Sequence, residues 1–284
     1  MKNILRKSKV FSASLVLAMA FAGTASAANI TFGSQATTDG SGKTSAFVNS
    51  NNTINAIADG YFVETFDQAT AIEIPGFPVA PNTAHNVAGA SDGCAINSPL
   101  GISAVPSSGV VNVRKGTVKN VAAAPKDDTT CYAYTTPVGN GLSYVDLDYT
   151  AFLANIGTAE ASLAGSYVNY LGFYWGSVDT YNTFEFYSDD VLVQSLTGTQ
   201  LLAKFGGIEG NQDLDSSNVY VNIDFSPAEA FNKLRVITNG IAGEFDNIVV
   251  GLDKRPIPSV PAPAGIALLG LGLVGLGFSR RFKK

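Results

Sequence analysis

An antiparallel β-sandwich, jelly-roll-like in its supply of short strands, is the fold class this sequence predicts, and three observations carry the prediction. Gly, Ser, Thr and Asn alternate with Val, Ile, Phe and Tyr through the middle of the chain, the composition of strands joined by turns. Several stretches repeat apolar and polar residues with period two, most regularly Leu142-Ser143-Tyr144-Val145-Asp146-Leu147-Asp148-Tyr149, as half-buried strands do. Turn signals separate these stretches and no internal repeat is present, which favours a layered all-β domain. The central part, some 230 residues, is long enough for one large all-β domain or two small ones.

The elements follow in chain order. Lys2, Arg6, Lys7 and Lys9 precede an apolar stretch at 10–22 and then Ala25-Ser26-Ala27. Charge, apolar core and small residues in that order form a secretory signal over 1–27, helical in its apolar part, with cleavage expected after Ala27. A membrane anchor would need about 20 apolar residues, more than this stretch has. Residues 29–60 are polar, with a short strand expected near Ile30-Thr31-Phe32. Gly60-Tyr61-Phe62-Val63-Glu64-Thr65-Phe66-Asp67 reads as a strand, and 74–106, rich in Pro, Gly and Ser, as a long insertion. Val110-Val111-Asn112-Val113 and 142–149 are the next strands. In the second half, 168–175 and 184–187 are strands joined by 176–182, and Ser188-Asp189-Asp190 turns the chain into Val191-Leu192-Val193. Strands at 218–225, 233–238 and 244–250 complete the set, with helical turns expected at 199–205 and 227–231. The predicted β-sandwich domain spans 28–253.

A proline-punctuated linker, 254–263, then leads into a C-terminal segment, 264–284, whose apolar run at 264–278 ends in Ser279-Arg280-Arg281-Phe282-Lys283-Lys284. Counted from Pro261 to Phe278, a helix would reach only about 27 Å, short of the about 30 Å hydrocarbon core. Five glycines weaken it further. A short span stopped by a basic cluster suits a temporary transmembrane helix awaiting a processing enzyme. Gly270-x-Gly272-x-x-Gly275 imitates a dinucleotide fingerprint, but no strand feeds it and no acid follows.

Val260-Pro261-Ala262-Pro263, the Leu/Gly run and the Arg280-Arg281 terminus together resemble the C-terminal sorting signal of PEP-CTERM, exosortase-dependent surface proteins. The usual motif is Val-Pro-Glu-Pro, and Ala262 stands where Glu is expected. The resemblance implies a Gram-negative bacterium with an exopolysaccharide-linked export system. It also implies an exosortase-type processing enzyme as partner, transient residence in the inner membrane, and delivery to the cell surface or extracellular matrix. A second resemblance, covering roughly 144–250, rests on Gly172-Phe173-Tyr174-Trp175-Gly176-Ser177-Val178-Asp179-Thr180-Tyr181-Asn182 and Glu244-Phe245-Asp246-Asn247-Ile248. It is to a subgroup of the same surface proteins, and it places the chain without assigning a molecular role.

Composition narrows the partners. All 23 acids lie within 28–255, against ten Lys and Arg, a net charge of −13 for that part. Such a surface repels phosphate backbones, and no basic patch is present, so nucleic acid is excluded as a partner. Cys94 and Cys131 are the only cysteines; in an exported chain they read as one disulfide. It closes a loop of 36 intervening residues and stabilises by roughly 3–4 kcal/mol. A metal site is the alternative, but it would want further ligands, and His85 is the sole histidine.

Two groups of residues are candidates for binding. Glu64 and Asp67 near the start and Asp246 near the end look like acids on the first and last strands of carbohydrate-binding jelly rolls. There they would hold a structural Ca²⁺ ion, which takes six to eight oxygens; the alternative is that they are edge and turn acids facing water. Leu171, Phe173 and Trp175 share one face of their strand and are the better core candidates. Tyr170 and Tyr174 share the other, and with Tyr181 in the following loop they could form a platform for a sugar ring, or else pack as ordinary structure. Asp213-x-Asp215-x-Ser217, with Asp224 eleven positions after the first, imitates a calcium loop but has Asn218 where glycine is required, so it reads as a polar loop. Catalysis is poorly supported: there is no nucleophile elbow, zinc signature or phosphate loop. The expected function is structural or adhesive, in a polysaccharide-rich matrix such as a biofilm, with exopolysaccharide as partner and no required cofactor. The rivals are a calcium-supported, lectin-like carbohydrate-binding module and, third, a glycoside-active enzyme.

Overall fold

The computed structural model describes residues 28–67, 94, 103–106, 110–137 and 143–254. The expected signal segment, most of the 74–106 insertion with His85, the motif Val260-Pro261-Ala262-Pro263, and Arg280 and Arg281 lie outside the described residues. Among the described residues no helix is long and apolar enough to cross a membrane.

Strands form where alternation leaves one apolar side. The first half supplies β1 (Asn29–Phe32), β2 (Gln35–Ala36), β3 (Lys43–Thr44), β4 (Tyr61–Glu64), β5 (Ser103–Pro106), β6 (Val110–Lys115), β7 (Cys131–Thr136) and β8 (Ser143–Asp148). Helix α1 (Thr150–Ala159) follows, then β9 (Ser166–Gly176), β10 (Asn182–Ser188), β11 (Val191–Thr197), α2 (Gly198–Phe205), β12 (Val219–Asp224), β13 (Lys233–Thr238) and β14 (Gly243–Lys254). A seven-stranded sheet runs β1-β12-β9-β14-β7-β6, with β4 pairing β14 beyond β7; a five-stranded sheet runs β11-β10-β13-β8-β5. Every pairing in both is antiparallel. The chain is therefore an all-β sandwich, with β2 and β3 as a small separate ribbon.

The core lies between the two sheets, as period-two patterning requires. Leu171, Phe173 and Trp175 of β9 face inward and are fully buried. Phe184 of the opposite sheet stacks on Phe173 at 4.3 Å and meets Trp175 edge-on at 4.6 Å. Val145 and Leu147 of β8 and Leu234 and Val236 of β13 close the other side. The Leu/Phe/Trp face expected to fill the core does so.

Helix α1 and strand β7, like the short strands β2, β3 and β5, have no counterpart in the sequence-based expectations. Helix α1 starts where Asp148 accepts a hydrogen bond from the Thr150 amide, 2.7 Å away, and it buries Phe152 and Ile156, one turn apart. Strand β7 alternates Cys131 and Ala133, which face the core, with Tyr132 and Tyr134, which face outward. Helix α2 matches the turn expected at 199–205, and it is capped by the Thr197–Gln200 box. The turn expected at 227–231 is not helical: Ser226 and Glu229 close a single turn there. Cys94 and Cys131 are bonded, with Cα atoms 5.5 Å apart. Within the insertion, β5 pairs with β8 as a sheet edge.

The outer face of the seven-stranded sheet is roofed. Residues 41–54 lie over Tyr170 and Val249, and 117–130 lie over Tyr132, Tyr134 and Tyr174. Candidate chemistry sits beneath these two segments.

Candidate functional site

The two stretches that carry the second resemblance are neighbours in the sheet. Residues 244–246 of β14 pair with 174–176 of β9: Glu244 opposite Gly176, Phe245 opposite Trp175, Asp246 opposite Tyr174. Phe245 points into the core, so Glu244 and Asp246 both point outward beneath the roof.

Glu244 borders a cavity of about 280 Å³. The roof turn 117–123 forms one wall; Ser177, Asp179 and Tyr181, from the connection between β9 and β10, form the floor; Gly210, Gln212, Ile241 and Ala242 complete the rim. Glu244 Oε1 accepts the Ala123 amide at 2.9 Å, and Oε2 accepts the Ser177 hydroxyl at 3.2 Å. The Tyr181 hydroxyl lies 2.7 Å from both Asp179 Oδ2 and the Ile241 carbonyl oxygen. Gly198 is what lets Asp179 sit there, because a Cβ at that position would come within 1.9 Å of the Asp179 carbonyl oxygen. Burial pushes the Glu244 carboxyl up to about 8, with the Asp179 charge adding to it. Burial likewise pushes Asp179 up to about 6. Ile241 is exposed on the rim and Tyr181 is half-buried, so the cavity offers an apolar edge, a phenol and hydrogen-bonding walls.

Two residues along β14, Asp246 is completely buried, and no donor makes a hydrogen bond to either of its carboxyl oxygens. Asp128 of the roof lies against it, close enough to share a proton. Asp128 Oδ1 accepts the Thr130 amide and hydroxyl at 2.8 and 2.9 Å, while its Oδ2 has no donor. Ser41 ties the pair together: its backbone bridges to Asp128, and its carbonyl accepts from Asn247 Nδ2 at 3.1 Å. Burial pushes Asp128 up to about 7, and burial followed by the Asp128 charge raises Asp246 well above the carboxylate range.

The residues expected from sequence to bind are placed differently. Glu64, Asp67 and Asp246 do not converge, and no group of three His, Cys, Asp or Glu suited to a metal occurs among the described residues. Glu64 lies opposite Ile248 and accepts the Phe66 amide at 2.8 Å, and Asp67 accepts the Cys131 amide at 3.1 Å. The separation follows from strand pleating: Glu64, like its neighbour Ile248, turns to the core side, whereas Asp246 turns outward.

The tyrosine platform is also corrected. Tyr170 and Tyr174 do share the outer face, but the chain itself covers them. The Tyr170 hydroxyl bonds Asn222 at 2.6 Å and Ser45 at 2.8 Å, and its ring meets Phe47 edge-on. Tyr174 donates to the Lys126 carbonyl at 2.6 Å. Gly42, at φ +80°, passes so close that a Cβ would come 2.7 Å from the Tyr174 ring. Of the three, only Tyr181 reaches the cavity. The Asp213 to Asp224 segment is a polar loop entering β12, in which Asp215 pairs with Lys43 and Lys126 at 3.3 and 3.1 Å.

Asp128, Asp179 and Ser177 were not singled out by sequence reasoning. Ser177 and Asp179 lie inside the quoted 172–182 stretch, which was the available signal. Asp128 carries no such mark. No family model matches the chain, and no curated protein or solved structure matches it.

Proposed function

We propose that this protein is an exported, exosortase-sorted component of the cell surface or extracellular matrix, with a structural or adhesive role in a polysaccharide-rich setting. The cavity beside Glu244 is its point of contact with carbohydrate. Export and sorting rest on the tripartite signals at 1–27 and 260–284. The contact rests on one observation: the cavity combines hydrogen-bonding walls with the Tyr181 phenol and the exposed Ile241, a pairing that suits the hydroxyls and apolar faces of a sugar. The net charge of −13 over 28–255 disfavours acidic sugars. Neutral or amino-bearing residues of an exopolysaccharide are the class that fits.

A glycan array with the full-length chain and its Tyr181→Ala variant tests the contact. The expected outcome is binding to neutral or amino glycans that falls at least tenfold in the variant, with no change in glycan chain length on incubation. Binding that is unaffected by Tyr181→Ala would remove the cavity from the account. Shortening of the glycan would favour a second reading, glycoside hydrolysis, for which Glu244 and Asp179 with their raised pKa values would be the acids. Deleting the chain from Val260 onward is expected to abolish surface display; unchanged display would reject the sorting route.

A further inference from the structure

The structure assigns a divalent-cation site, calcium by ligand chemistry, to the buried contact of Asp246 with Asp128 beneath the roof. It is independent of what the cavity binds. Buried carboxylate oxygens are expected to have donors. Here three lack them in one place: both oxygens of the fully buried Asp246 and Oδ2 of Asp128, itself 6% exposed. The amide of Asn247 lowers the Asp246 pKa a little but makes no hydrogen bond of normal geometry to it. A shared proton would leave one negative charge and most of these lone pairs unanswered. A hard dication answers both, because it neutralises two carboxylates and is ligated by oxygen alone.

A further buried oxygen without a donor lies under the same roof, on Asn52. Asn52 is fully buried; its Nδ2 contacts Asp39 Oδ2, Ser41 Oγ and Asn247 Oδ1 at 2.9, 2.7 and 3.1 Å, and its Oδ1 has no donor. Asp67 adds negative potential felt by both Asp128 and Asp246. With two carboxylates as the charged ligands, the affinity expected is that of extracellular modules, a Kd of about 0.1–1 mM. Calcium, with its flexible coordination, fits better than magnesium, which demands a near-ideal octahedron. Bound there, the ion would fasten β14, through Asp246, to the 117–130 roof, through Asp128.

Thermal unfolding of the full-length chain in 10 mM CaCl2 and in EGTA provides the test. Calcium is expected to raise Tm by roughly 3–10 °C, and MgCl2 at the same concentration by less. Asp246→Asn and Asp128→Asn should abolish the shift; Asp246→Asn should leave Tm in EGTA unchanged or higher, because neither of its carboxyl oxygens has a donor, and Asp128→Asn keeps an oxygen for the Thr130 amide and hydroxyl. Asp215→Asn, at an exposed acid, should keep the shift. Identical Tm values in calcium and EGTA, or a shift retained in Asp246→Asn, would overturn the site. If an Asn variant does not fold, terbium luminescence on the unsubstituted chain decides: emission excited through Tyr174 and displaced by calcium supports the site, and its absence rejects it. Glycan binding is read separately, so either proposal can fail alone.

Discussion

Glu244 and Asp246 stand two residues apart on the outer face of β14, under the same roof, yet the chain provides for them in opposite ways. Glu244 has a donor on each oxygen, a backbone amide and a hydroxyl, and it borders a cavity. Asp246 has none and is sealed against a second acid. The difference teaches that burial alone does not define a site. A carboxyl whose hydrogen bonds the protein completes is a wall against which a ligand is placed. A carboxyl left incomplete is where the ion proposed above would bind.

The largest expected effect comes from breaking the completed side. Glu244→Ala leaves the Ala123 amide and the Ser177 hydroxyl without an acceptor in a buried place and should cost about 2–3 kcal/mol in urea unfolding at pH 6. Asp246→Ala in calcium-free buffer deprives no donor of its partner and should cost less than about 1 kcal/mol. Equal losses would erase the contrast.

A smaller effect separates charge from hydrogen bonding. Burial raises the Glu244 pKa from its ordinary 4.5 to about 8 in the folded protein, so between those values the native state holds a proton that the unfolded chain gives up. Its contribution to stability is full below about pH 4.5 and is lost as pH rises through about 8. The wild type should therefore weaken between pH 5 and pH 8. Glu244→Gln keeps an acceptor for Ala123 and should remove on the order of 1–2 kcal/mol of that fall. The remainder of the slope belongs to the other acids that burial raises, Asp128, Asp179 and Asp246 among them. A variant whose pH profile parallels the wild type would mean that Glu244 is ionised throughout.

The smallest effect refines the first. Ser177→Ala removes only the longer of the two hydrogen bonds to Glu244, 3.2 Å against 2.9 Å. It should cost about 0.5–1 kcal/mol and move the Glu244 titration, followed by carboxyl carbon NMR, to higher pH. A downward move would show that Ser177 does not stabilise the carboxylate.

The sequence showed the strands wherever alternation ran unbroken, as in β8, β12 and β13, because a period of two leaves one apolar face whatever the strand packs on. It also marked Leu171, Phe173 and Trp175 as core, and it grouped Asp246 with Glu64 and Asp67 as calcium ligands, which the strand pleat keeps apart. Helix α1 escaped because its signal is only Phe152 and Ile156 at one-turn spacing, followed by Gly157, and its N-cap Tyr149 provides no side-chain cap. The roof was the larger omission. Residues 37–55 are polar and unpatterned, and what seats them on the sheet is backbone and amide bonding, Asn247 Nδ2 to the Ser41 and Lys43 carbonyls at 3.1 and 2.9 Å, for example. Bonds of that kind leave no periodicity to read. For that reason the outward side of Tyr170 and Tyr174 was predictable while their covering was not, and Asp128, in a turn far along the chain from Asp246, had nothing to mark it.

The position of β14 governs how such a molecule can be assembled. It is the last described strand, yet it sits in the interior of the seven-stranded sheet, bordered by β9 on one edge and by β7 and β4 on the other. Until it is in place, the strands that flank it have open edges and no partner between them. The sheet therefore cannot grow outward from its beginning as the chain emerges; its two halves must wait for a keystone that arrives last. Such non-local closure is slow and leaves strand edges exposed meanwhile, so a chain of this design stays open, threadable and dependent on protection until residue 254 is available.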